Sequence, residues 1–331
     1  MTPAPRAAVP ELPPAAEIPA PADAARILPT LLKLTAGATM ISFSGVYVKL
    51  AQVAPAVSAF YRVLFGGLFL LAVCGLRRKR LWNGWPYLAL GFFCGLFFAL
   101  DLVLYHASVE RVGPGLGTIL PNFQVFLLAA IGLMFMGETL RTGFMVGVPL
   151  AMLGLMLIVG LNWNALAAAY RAGVLMGLGA AGCYTAFLLT LRRLQTHPNP
   201  LAPIANLTLV SFLTAAVLGL EIVRHGGSFI IPDARSAVSL LAYGFFSQML
   251  GWLLITQALP MVRASLAGLL LLLQPALAFV WDVLFFHRPT TVLNLIGVAL
   301  ALTGIYLGTT SHYRHPAADT LPKPVPQRHL S

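Results

Sequence analysis

Apolar runs about the length of a membrane-crossing helix follow one another along nearly the whole chain, each closed by a short polar link. A helix needs about 20 mostly apolar residues to cross a bilayer. Ten runs meet that requirement: 27–50, 56–76, 85–109, 112–136, 143–161, 173–194, 201–223, 237–259, 264–286 and 291–310. The links leave no room for a soluble domain, so the pattern predicts an all-α integral membrane protein of ten transmembrane helices.

The runs also repeat. Gln124 and Gln274 stand 150 residues apart, and around them Val112/Val262, Leu116/Leu266, Leu120/Leu270, Phe135/Phe285, Gly147/Gly297, Ala151/Ala301 and Gly154/Gly304 match at the same offset. A second echo, Gly91-Phe92-Phe93 against Gly244-Phe245-Phe246, falls at a slightly different offset, as it would after a change in loop length. Five spans per repeat is an odd number, so the second copy must enter the membrane reversed. The expected organisation is a tail at 1–26, a five-helix repeat at 27–161, an inverted five-helix repeat at 172–310 and a tail at 311–331. Inverted repeats place the substrate site near the bilayer midplane where the halves meet, and rocking of one half on the other gives alternating access.

Composition agrees: 59% of residues are hydrophobic and 9% charged, against roughly 25% charged in soluble domains. The net charge of +11 does not point to nucleic acid, because the basic residues cluster at span ends. Most of them, including Arg77 to Arg80, Arg141, Arg192, Arg193 and Arg263, fall on one side, while Lys49, Arg111, Arg171, Arg224, Arg235 and Arg288 fall on the other. The positive-inside rule then puts both termini in the cytoplasm. Seven prolines among the first 25 residues, and Pro316, Pro322, Pro324 and Pro326 near the end, predict disordered tails. Cys74, Cys94 and Cys183 lie in separate spans, far from any CxxC spacing, and read as packing residues.

Short motifs in a fixed order complete the pattern: Ser58-Ala59-Phe60-Tyr61-Arg62 opening the second span, Leu120-Pro121-Asn122-Phe123-Gln124-Val125 followed by Gly137-Glu138-Thr139-Leu140, and Gln274-Pro275 in the ninth span. With these the chain resembles the drug/metabolite transporter superfamily, in its ten-helix EamA-type branch, over about 29–310. The resemblance implies a secondary transporter of the bacterial inner membrane that exports amino acids, aromatic ones included, or related metabolites. A drug/proton antiporter of the same superfamily is the alternative. Where the family's second repeat would show another Gly-Glu pair, this chain has His287-Arg288-Pro289.

The residues themselves offer a set of cavity walls. Polar groups inside hydrocarbon are costly, and those present pair or line wet cavities. Arg62 and Asp101 each lie about seven residues below the outer end of their spans, roughly 10 Å in at ~1.5 Å per residue, which predicts an ion pair between neighbouring helices or a place for proton handling. Asp282, near Arg288, reads as structural. Cys94, Phe98, Asp101 and Tyr105 share one stripe, and Gly117, Pro121 and Gln124 another, with Asn122 beside them. Gly177, Ala181 and Tyr184 share a face, as do Gln248, Trp252 and Thr256, and Trp252 is mid-span rather than in an interfacial belt. Ser42, Ser44 and Tyr47 complete the wall. The predicted substrate contacts are therefore Gln124, Gln274, Asn122, Trp252, Gln248, Tyr184, Tyr47, Ser42 and Tyr105, with Gln124 and Gln274 facing each other across the two-fold axis. Glycine pairs such as Gly91/Gly95 and Gly173/Gly177 read as close helix packing.

Neutral amides, hydroxyls and aromatics suit small polar or zwitterionic solutes, and Asp101 lies too shallow for a central proton carrier. A membrane enzyme acting on lipids is the competing class, with His106 and Glu110 as its best pair; one His and one Glu make neither a metal site nor a nucleophile dyad. No GxxxxGK[ST] loop is present for a primary pump. The expected partners are a small-molecule substrate and the lipid bilayer, with no nucleic acid, cofactor or metal, and the protein working as a monomer or homodimer.

Overall fold

The computed structural model describes residues 22–159, 168–287 and 289–311. All regular structure among them is helical, in ten apolar segments: α1 (Ile27–Leu50), α2 (Pro55–Leu76), α3 (Trp85–Val112), α4 (Gly117–Phe135), α5 (Thr142–Ile158), α6 (Ala169–Gln195), α7 (Pro203–Arg224), α8 (Ala234–Met261), α9 (Ala264–Phe286) and α10 (Val292–Thr309). Nine are long and apolar enough to cross a membrane, and α5 is shorter. Helical backbone reaches back to Ala22, into the segment expected to be tail, because Ala-Asp-Ala-Ala-Arg favours helix and holds no proline. The rest of both expected tails, the centre of the α5–α6 link and Arg288 lie outside the described residues.

Several spans are broken, each for a local reason. Phe43 interrupts α1, where the Ser42 and Ser44 hydroxyls donate to the Thr39 and Ile41 carbonyls and so bend the helix. The fourth span tightens into a 3-10 turn at Leu120–Phe123, which contains Pro121, and α9 breaks at Leu272, ahead of Pro275. Proline removes a donor and pushes on the carbonyl four residues back. Both breaks adjoin the repeat-related glutamines. Between α3 and α4 the chain reverses so tightly that a side chain on Gly117 would lie 2.7 Å from that of Val109.

The halves interdigitate. The most extensive contacts are α3 with α6 and α5 with α10; α2 packs on α7 and on α8, α1 on α8 and on α9, α3 on α7, and α4 on α6 and on α9. Exchanging α1–α5 for α6–α10 maps this set onto itself, as an inverted duplication requires. The glycines carry the exchange to residue level. A side chain on Gly154 would lie 2.4 Å from the Ala301 nitrogen and one on Gly304 2.5 Å from the Ala151 nitrogen, while Gly147 faces the Gly304 carbonyl and Gly297 the Gly154 carbonyl. These are the residues of the 150-residue register, so the two-fold axis passes between α5 and α10. The second echo behaves the same way: Gly91 of α3 abuts Leu209 of α7, and Gly244 of α8 abuts Phe65 of α2.

Candidate functional site

A cavity of about 800 Å³ runs from the middle of the molecule to the end opposite the one where α1 begins and α10 ends. That is within the range of small-molecule sites. Its floor is aromatic. Phe98 stacks on Phe187 at 4.4 Å between centroids, and Trp252 meets both edge-on at 5.4 and 4.9 Å, with Tyr184 against Phe187 and Trp252. Beneath the floor Leu34, Leu188, Leu191, Leu194, Leu266 and Leu269 are buried and close the terminal end.

That end is also clamped by hydrogen bonds. Glu138, in the turn between α4 and α5, accepts from the Ala264 nitrogen at 2.6 Å, the Ser265 nitrogen at 3.2 Å and the Ser265 hydroxyl at 2.6 Å. A carboxylate at a helix start satisfies N–H groups that the helix cannot use itself and meets the positive end of its dipole. Arg263 adds a bond to the Thr139 carbonyl. Tyr87 ties the same end by donating to Asn206 and accepting from the Leu201 nitrogen.

Of the predicted contacts, Ser42, Tyr105, Asn122, Tyr184, Trp252 and Gln274 line the cavity, together with Arg62 and Asp101. Asn122 is pinned to the Thr118 carbonyl, and Ser42 accepts from the Trp281 indole at 2.7 Å. The indole nitrogen of Trp252 and the amide nitrogen of Gln274 are buried donors without a partner.

Three predicted contacts are not in the lining. Gln124 is buried and donates to the Gly268 carbonyl of α9 at 3.2 Å, so the two glutamines do not face each other. Only the second is turned to the cavity. Gln248 lies behind the wall, accepting from Arg62 and donating to Ser211. Tyr47 stacks on Tyr243 at 5.8 Å and leaves the lining to that ring. Tyr243 went unpredicted because Tyr243–Gly251 is a π-helix. Bonding from i to i+5 widens the turn, so two turns take about nine residues and bring Tyr243 and Trp252 to one face, which a period of 3.6 sets apart.

The expected Arg62–Asp101 ion pair is not made. Both are buried, 6% and 8% exposed, but among the described residues no carboxylate is within pairing distance of Arg62. Its Nε donates to Gln248 at 3.2 Å and Nη1 to Tyr243 at 3.4 Å, while its plane lies over the Phe98 and Tyr243 rings. Asp101 also lies deeper than predicted: its span continues to Val112, eleven residues on, or ~16 Å at 1.5 Å per residue. The ion pair that sequence reasoning missed is Lys49–Asp282, at the cavity rim between α1 and α9. His106 lines the wall beside Tyr105, Glu110 is exposed, and no cluster able to hold a metal occurs among the described residues.

The arrangement is a container with a polar, aromatic interior, one closed end and a two-fold pivot. Residues 28–160 and 171–310 match the EamA-like transporter family. The Bacillus subtilis protein named uncharacterized transporter YwfM is 25% identical over 260 residues, 78% of this chain and 86% of that one. A protein of Salmonella typhimurium named probable amino-acid metabolite efflux pump is 24% identical over 227 residues, 66% of this chain and 75% of that one. A solved crystal structure superposes with a TM-score of 0.70 at 19% identity, covering 85% of this chain and 96% of the other, which shows a common fold. A ten-helix membrane protein built as two inverted repeats around a central cavity, the chain belongs to the EamA-like transporter family.

Proposed function

We propose that the protein exports amino acids, aromatic ones included, and related small zwitterionic metabolites across the bacterial inner membrane by alternating access. The observation that carries this reading is the cavity between the repeats, reaching one end of the bundle and stopped at the other by the aromatic floor and the Glu138 clamp. The charge bias supports cytoplasmic termini, so the conformation corresponds to an outward-open state. Two relatives named probable amino-acid metabolite efflux pump, of Salmonella typhimurium and Escherichia coli, support the substrate class, and rings with amide and hydroxyl groups suit it.

The test is exchange of labelled phenylalanine and other amino acids by reconstituted vesicles, with Ala278→Trp as the blocked control. Ala278 lines the wall, and a tryptophan there fills the path. Saturable flux that the control abolishes is expected; flux equal to that of protein-free vesicles for every amino acid tried overturns the reading. Proton coupling through Asp101 is a second reading, favoured by its place on the wall. Exchange indifferent to an imposed pH gradient removes it.

A further inference from the structure

Arg62 and Asp101 are groups of opposite charge, each more than nine-tenths buried, that line one cavity without closing on each other. Removing an ion from water costs several kcal/mol in real proteins unless a partner compensates it, and a charge at membrane depth is no cheaper. A direct pair between α2 and α3 would satisfy both. Instead Arg62 is held away by groups that orient a guanidinium without neutralising it: the Gln248 amide oxygen, itself anchored to Ser211, the Tyr243 hydroxyl, and two ring faces. This leaves N–H groups that no described residue uses. Asp101 accepts no hydrogen bond from a described residue, although it lines the same space.

Arg62 offers donors to this space and Asp101 offers acceptors. Between them lie the apolar faces of Phe98, Tyr184 and Trp252. From this we infer that the cavity holds a zwitterion, with the carboxylate of an α-amino acid bound at Arg62, its ammonium at Asp101 and an apolar side chain on the aromatic floor. The inference rests on the transport reading above and goes beyond it by naming the group that meets each charge. A planar guanidinium with free N–H groups suits a carboxylate, which it binds in bidentate fashion, and each buried charge of the protein is compensated only when the ligand brings both of its own.

The experiment compares three probes of one shape on the purified protein by calorimetry: L-phenylalanine, phenethylamine, which lacks the carboxylate, and 3-phenylpropionate, which lacks the amine. The intact protein is expected to bind phenylalanine at least about tenfold more tightly than either analogue, a factor of ten being 1.4 kcal/mol. In Arg62→Gln the preference over phenethylamine collapses while that over 3-phenylpropionate persists; in Asp101→Asn the reverse holds. Preferences are ratios within one protein, so a general loss of affinity cancels. Should Arg62→Gln not fold, the intact protein decides alone: phenethylamine bound as tightly as phenylalanine overturns the assignment. Phenylalanine binding and exchange with both preferences unchanged in the variants also overturns it and leaves the transport reading standing. An intact protein that neither binds the probes nor moves any amino acid brings down the transport reading, and this inference with it.

Discussion

Of the helix couples that cross the two-fold axis, α5 with α10 and α4 with α9 have been treated differently by the duplication. In the first, Gly147 meets Gly304 as Gly297 meets Gly154, and the symmetry holds residue by residue. In the second, Gln124 is tied to Gly268 of the opposite repeat while Gln274 turns to the cavity, and Glu138 clamps the start of α9 where the counterpart position is Arg288. A pivot can obey the two-fold in every state. Gates cannot: a molecule open at one end only must hold its equivalent residues in unequal surroundings. The lesson is that repeat-related residues with matching surroundings mark the scaffold, and those whose surroundings or identities differ mark where the state is set.

The largest expected effect lies on the symmetric side. Gly154→Leu and Gly304→Leu each drive a side chain against backbone, the nitrogens of Ala301 and Ala151, at 2.4 and 2.5 Å. Backbone cannot move aside as a side-chain tip can, so each should cost about 3 kcal/mol, the upper end for overpacking, seen as loss of folded protein in thermal melts. The two losses should match. Tolerance of one with loss of the other would break the residue-level two-fold.

Next comes the clamp. Glu138→Gln keeps the shape but removes the charge and one acceptor from a group that receives three hydrogen bonds. Hydrogen bonds to charged groups contribute about 1.5–3 kcal/mol, and the loss falls on the closed terminal end. With a cysteine placed at fully buried Leu34, thiol labelling should accelerate about tenfold or more, at 1.4 kcal/mol per tenfold. An unchanged rate would mean that the aromatic and leucine layers alone seal that end.

What the chain made legible and what it hid follow the same division. Hydrophobic length located the spans, and the 150-residue register named the glycines that meet at the axis, because packing at a close helix crossing depends on residue size alone. The depth of Arg62 and Asp101 in their spans brought them to one cavity. Depth says nothing of azimuth, so Gln248 and Tyr243, from a helix more than 180 residues onward, could not be seen to hold Arg62 back. The π-helix in α8 altered the period on which face assignments rest and moved Tyr243 to the wall in place of Gln248. Glu138 stood in a recognised motif, but its partners lie across the repeat boundary. Equivalence of Gln124 and Gln274 was legible; their inequality belongs to the conformation.

The smallest effect sharpens that inequality. Gln124→Ala removes a 3.2 Å bond to the Gly268 carbonyl but also removes Oε1, a buried acceptor with no partner. The two changes oppose each other, so stability should fall by only about 1 kcal/mol, a slight shift in the melt, and phenylalanine exchange should stay within about twofold of the parent. Gln274→Ala should do the opposite. It deletes an amide that lines the cavity with its nitrogen unpaired, so the melt should hardly move while exchange drops about tenfold, a contact of 1.4 kcal/mol. Equal effects on exchange would mean that the glutamines trade places during each cycle and that both meet the solute. Unequal effects would mean that the second repeat carries the contact in both states, with its twin retained to pin α4 to α9.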